Sequence, residues 1–151
     1  MRRKFILIFV IAAIIIGLFI WYSTSRKSTT SENNKIISRN GIHWHSKLSI
    51  IIKAKKEGIP ANVGLGAIHL PLHTHENDDI IHMEFNGIVR ENDIRLKKFF
   101  KIWGREFNSN CIFEFCNGEE GMVKMLVNDK ESGDYENYIM RDGDKIEIKY
   151  E

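Results

Sequence analysis

The chain has little proline, little cysteine, and no histidine beyond position 82. Its 151 residues hold two prolines, Pro60 and Pro71, and two cysteines, Cys111 and Cys116. Two cysteines cannot staple a fold the way a disulfide-rich scaffold does, so the domain needs an ordinary apolar core. No glycine-rich phosphate loop, nucleophile-elbow serine or His-Glu-x-x-His helix is present, and no Asn-x-Ser/Thr acceptor occurs. The formal net charge is only +2. Five of the 22 basic residues, Arg2, Arg3, Lys4, Arg26 and Lys27, flank one N-terminal segment. Without them 17 basic residues face 20 acidic ones, a net of −3. A nucleic-acid partner needs a basic face, and this sequence offers none.

What is present begins with that segment. Phe5 to Tyr22 is an uninterrupted apolar run. Eighteen residues at about 1.5 Å each reach about 27 Å, near the thickness of a bilayer core. The run predicts a transmembrane signal anchor over 5–22, with 1–4 as a cytoplasmic basic N-terminus and Trp21-Tyr22 at the interface. A cleaved signal peptide is the competing reading, although the run exceeds the usual length and lacks an A-x-A site. On either reading the remaining chain is exported. The expectation is a single-pass cell-membrane protein whose partner is the membrane itself. Residues 23–40 are rich in Ser, Thr and Asn and read as a flexible linker. Residues 41–151 read as one extracytoplasmic domain.

Within that domain, His43–Ala54 and Ile80–Phe85 read as strands, with Ile59–Gly64 as a short return strand. Asp93 is expected to cap a helix through IRLKKFFKIWG, ended by Gly104, with Phe99, Phe100 and Trp103 on its buried side. Strands follow near Cys111–Phe115, Met122–Val127 and Lys145–Tyr150, the last strictly alternating. The predicted class is α+β: an N-terminal transmembrane helix plus one small mixed sheet packed on a single helix. Drawn out as one strand, CIFEFC would hold its cysteines about 16 Å apart, so a disulfide there requires a bend.

All six histidines, His43, His45, His69, His73, His75 and His82, fall within 40 positions. His43-Trp44-His45 and His73-Thr74-His75 are His-x-His pairs, and alternate residues of a strand share a face. Each pair can thus present two imidazoles to one ion, with His69 and His82 as completing donors. Imidazole suits Zn, Cu, Ni or Fe, so the cofactor expected is a transition metal, Cu or Zn, which ligand type alone does not distinguish. Glu76, Asp78, Asp79 and Glu84 lie nearby as further ligands, as partners for imidazole N–H groups, or as a base. Two other roles stay open for the histidines: a pH-sensitive patch and ordinary hydrogen bonding. Met83, Met122, Met125 and Met140 read as core filler rather than copper ligands. A cupin barrel is not the first choice: the position that would carry its glutamate is Ile80, with Asp79 one residue short, and the helix fits poorly. Three functions remain in view. They are a metal-binding module, a metal-dependent enzyme with three histidines and Glu76 or Glu84 as base, and a non-metal interaction module presenting a sheet edge.

Two resemblances add to this. HWHSKLSI, IPANVG, HLPLHTHE, IIHMEF and KKFFKIWG, in this order, resemble an uncharacterised family of short exported prokaryotic proteins. Its pattern is HWH, IPANIG, HTHD and FFxIWG, with Glu76 standing for the aspartate. The resemblance implies that the histidines act as one set and implies no reaction. VNDKES…NYIMRDGDKIEIKY is similar to the close of ubiquitin-like β-grasp domains, without their Gly-Gly tail. It implies a β-grasp-like fold and leaves a carrier role without support.

Overall fold

The computed structural model describes residues 14–17 and 34–151. Asn34–Glu151 is one compact unit. Its strands are β1 (Ile36–Ser38), β2 (Ile42–Ile52), β3 (Lys55–Glu57), β4 (Leu72–His73), β5 (Ile80–Phe85) and β6 (Val89–Arg90). After helix α1 (Leu96–Trp103) come β7 (Cys111–Ile112), β8 (Phe115–Cys116), β9 (Val123–Val127), β10 (Lys130–Glu131) and β11 (Lys145–Tyr150). Seven strands form the main sheet in the order β10-β9-β11-β2-β5-β4, with β3 folded back on β2. Only the β11–β2 pair is parallel. The pairs β1–β6 and β7–β8 make two small sheets.

Alternation explains the core. Leu48 and Ile50 on β2, Ile81 and Met83 on β5, and Ile146 and Ile148 on β11 are all buried. They form one cluster with Leu96, Phe99 and Phe100 of α1 and with Ile112 and Met140. Gly104 takes the left-handed conformation, φ 73°, that ends the helix. At its start the sequence reading is corrected. Asp93 closes a preceding 3-10 turn, Glu91–Asp93, by accepting a 3.0 Å bond from the Arg90 N–H, and Arg95 takes the cap position.

The expected class, a transmembrane helix plus a small β-grasp-like sheet on a single helix, is also corrected. The unit holds three sheets, and α1 is only eight residues long. The β7–β8 hairpin stands where one strand was expected near Cys111–Phe115, and β1 pairs with β6, so two small sheets join the main one. The span predicted over 5–22 lies outside the described residues, apart from the helical residues 14–17. Among the described residues no helix is long and apolar enough to cross a membrane. The membrane partner and the single-pass, exported location are therefore withdrawn. Ile36–Ser38, read above as part of a linker, pairs with β6. Ile59–Gly64 is not a strand; β3 makes the return instead, Glu57 opposite Ile50.

CIFEFC is a hairpin rather than one strand. Phe113 turns with φ 57°, Cys111 lies opposite Cys116, and the pair forms a disulfide with Cα atoms 4.0 Å apart. Closing so short a loop contributes about 2 kcal/mol. Reducing the bond should lower the denaturation midpoint accordingly, and an unchanged midpoint would contradict this.

The segment 59–70 is lashed to β4. Thr74 accepts from the Val63 N–H through Oγ1 (3.1 Å) and donates to the Pro60 carbonyl (2.8 Å), while its own N–H reaches the Val63 carbonyl (3.0 Å). Gly64, φ +77°, permits this approach: any Cβ there would collide with the Leu72 carbonyl and press on His73. Gly64→Ala should therefore cost about 1–3 kcal/mol in chemical denaturation. Gly66→Ala, with open space around it, should stay within about 0.5 kcal/mol.

Candidate metal centre

The register of three strands builds the site. In antiparallel pairs, residues directly opposite share a face. His43 lies opposite Glu84, and His45 lies opposite His82. His73 lies opposite His82 on its other side. Trp44, Ser46 and Leu48 point to the core, so His43 and His45 take the other face; Ile81 and Met83 do the same for His82 and Glu84. The loop before β4 adds His69, and the residue after β4's neighbour Thr74 is His75. Three imidazoles, His69, His75 and His82, and the Glu84 carboxylate thus gather around His73, which is fully buried.

The backbone at His45 is fixed from the turn before β11. Its N–H donates to Asp142 Oδ1 and its carbonyl accepts from the Gly143 N–H, both at 2.8 Å. Asp144 holds that turn, accepting from the Tyr138 hydroxyl and the Arg141 N–H, each at 2.7 Å.

His73 has a defined tautomer. Its Nδ1–H donates to the Leu70 carbonyl at 2.9 Å, which leaves a lone pair on Nε2. Facing that lone pair are His75 Nε2 at 3.1 Å and His69 Nε2 at 3.3 Å. One sp² lone pair accepts one good hydrogen bond, so two N–H groups cannot both be satisfied there. An ion placed among the three nitrogens would satisfy all of them. Metal–nitrogen bonds of about 2.0–2.1 Å at tetrahedral angles put neighbouring nitrogens about 3.3–3.4 Å apart, near the spacings here.

His73, His75, His82 and Glu84 each offer one ligand atom, and these four atoms lie within 4.8 Å of one another. Glu84 Oε1 is 4.0 Å from His73 Nε2, 3.9 Å from His82 Nδ1 and 3.6 Å from His43 Nε2. His82 Nδ1 is buried and has no hydrogen-bond partner among the described residues. A buried nitrogen without a hydrogen-bond partner, 3.9 Å from a carboxylate, is suited to serve as a metal ligand.

Electrostatics favour the ligand form. Burial pushes the His73 and His82 imidazoles below the usual histidine range. The Leu70 bond opposes the shift at His73, while neighbouring His69 and His75 add to it. At His82, charge on His45, His75 and His73 adds to burial and Glu84 opposes it. Both rings therefore stay neutral, with lone pairs available, at pH values where a free histidine begins to protonate.

No family model, curated protein or solved structure matches the chain. The reading of the site rests on its geometry.

Of the six predicted histidines, His73, His75 and His82 are in the four-residue group. His69 touches it through His73, and His43 and His45 lie beside it on the same face. Glu84, read above as one of four nearby acids and, with Glu76, as a candidate base, offers the fourth ligand atom. The other acids serve elsewhere or stand apart. Asp79 pairs with Lys56, Asp78 caps the Ile80 N–H at 3.1 Å, and Glu76 is exposed outside the group. Met83, Met125 and Met140 are core, and Met122 is exposed. The alternation His82-x-Glu84 was the available signal for Glu84; the Leu70 carbonyl left none.

A stability consequence follows for the metal-free protein. The unfolded chain, with histidine near its usual pKa of about 6.5, binds protons that folded His73 and His82 resist. Stability is therefore lost as pH falls through that value, and the penalty is complete below the lowered folded values. Denaturation in chelator between about pH 7.5 and 5 should show a smaller decline in His82→Gln than in wild type. Equal declines would refute the assignment for His82.

Proposed function

We propose that this domain binds a transition metal ion, Cu(II) or Zn(II), through His73, His75, His82 and Glu84, with His69 able to exchange in. The observation that carries the reading is the convergence of His69 Nε2 and His75 Nε2 on the one lone pair of His73. The donor set supports the choice of ions. Three imidazoles and a carboxylate suit Zn(II) and Cu(II), and both cysteines are held in the Cys111–Cys116 disulfide, so neither offers a thiolate to favour Cu(I).

A second reading, a metal-dependent enzyme, is favoured by one feature. A cleft of 790 Å³ runs beside the group, lined in part by His43, His69, Glu84 and Asn86. An ion bound here would face space able to admit a small molecule, and Glu84 would be the carboxylate beside it.

The test uses the full chain, stripped with chelator and titrated with Zn(II) and Cu(II), bound metal being counted by mass spectrometry and affinity by calorimetry. Wild type should retain metal through gel filtration. His73→Ala/His75→Ala should lose affinity by more than the roughly 10–100-fold that removal of an outer-sphere partner costs. Substoichiometric metal in wild type, unchanged in the double variant, would dismiss both readings.

A further inference from the structure

The four-residue group leaves two imidazoles over. His43 and His45 sit two apart on β2, on the same face as His82 and Glu84, with ring centroids 4.9 Å apart. His45 stands edge-on to His82 at 4.8 Å, so the imidazoles form an unbroken chain from His43 to His69. One tetrahedral ion takes four donors, and this face presents seven: six imidazoles and one carboxylate.

We propose that the same face holds a second ion, bound by His43 and His45 and joined to the first through a bridging Glu84 carboxylate. The proposal rests on the metal-binding reading above. Glu84 is placed for it: Oε1 lies 3.6 Å from His43 Nε2 on one side, and 3.9 and 4.0 Å from His82 Nδ1 and His73 Nε2 on the other. These separations exceed a hydrogen bond. One carboxylate oxygen therefore lies near both groups of nitrogens without bonding to either, and a carboxylate has lone pairs enough to serve two ions. Paired metal centres commonly hold their ions about 3.5–4 Å apart, a spacing one carboxylate spans.

The ring nitrogens of His43 and His45 make no hydrogen bond to protein among the described residues. His43 is exposed, with 67% of its side-chain surface accessible, so solvent can complete this ion's coordination. The second ion has only two imidazoles plus a share of Glu84. It also enters beside a dication already in place, whose charge the carboxylate offsets only in part. Binding is therefore sequential, and the His43/His45 ion is the weaker one.

Titration of the full chain with Cu(II), followed by native mass spectrometry and electron paramagnetic resonance, tests this. Wild type should take up two ions. The second should broaden or quench the resonance of the first, because two Cu(II) ions this close couple magnetically. His43→Ala/His45→Ala should bind one ion and give an uncoupled signal. Glu84→Gln should weaken the coupling wherever two ions still bind. The resonance of wild type needs no variant, so a misfolded mutant cannot decide the matter. One ion in wild type, unchanged in His43→Ala/His45→Ala, would overturn the second site while leaving the first standing. Two uncoupled ions in wild type would overturn it as well, placing the second ion elsewhere. No ion in either protein would instead remove the metal-binding reading itself.

Discussion

Side chains alternate along a strand, so the register of β2 against β5 decides what each face of the main sheet carries. With His45 opposite His82, the imidazoles share one face and Trp44, Leu48, Ile81 and Met83 share the other. A slip of one residue would turn imidazoles into the core and leucine and isoleucine into solvent. Burial of those apolar residues therefore fixes the register, and the register aligns the ligands. The site inherits its geometry from the core rather than from contacts among the histidines.

That inheritance matters because the histidine face contributes little of its own. His73 is buried as a polar ring, which is unfavourable unless its nitrogens are partnered. One nitrogen is partnered by the Leu70 carbonyl; the other faces two competitors for the same lone pair. His82 Nδ1 has no partner among the described residues. In the absence of an ion these groups are a cost that the apolar side of the sheet offsets. With an ion they become ligands, and the same burial that penalised them excludes competing water. A local rule is broken where function would need it broken.

The sequence made legible what depends on short-range pattern. The six residues of β11 alternate strictly, and Gly104 ends the helix because a left-handed position favours glycine. His43-x-His45 disclosed a shared face for the same reason, whereas in His73-x-His75 only His73 lies on a strand. What it hid depends on long-range pairing. Ile36–Ser38 is polar-flanked and short, and becomes a strand only because Val89–Arg90 lies beside it. CIFEFC hid a local feature instead: it read as a strand by composition, yet a reversal at Phe113 brings its ends together. Glu84 could be ranked above Glu76 only once β2 and β5 were aligned. The span read from the length and hydropathy of 5–22 lies outside the described residues, apart from 14–17.

Exposure is graded across the ligands, and the gradient bears on selectivity. His73 is enclosed and tied to Leu70, and His82 is mostly enclosed within β5. His69 and His75 are exposed and come from the connecting chain. An ion seated here would meet a fixed inner wall and an adjustable outer one. Fixed ligands impose one geometry, whereas adjustable ones accept several, so such a site discriminates weakly by shape. With shape discounted, intrinsic affinity ranks the ions, and Cu(II) stands above Zn(II) for nitrogen and oxygen donors. Occupancy would then follow the metal supply more closely than the architecture of the site.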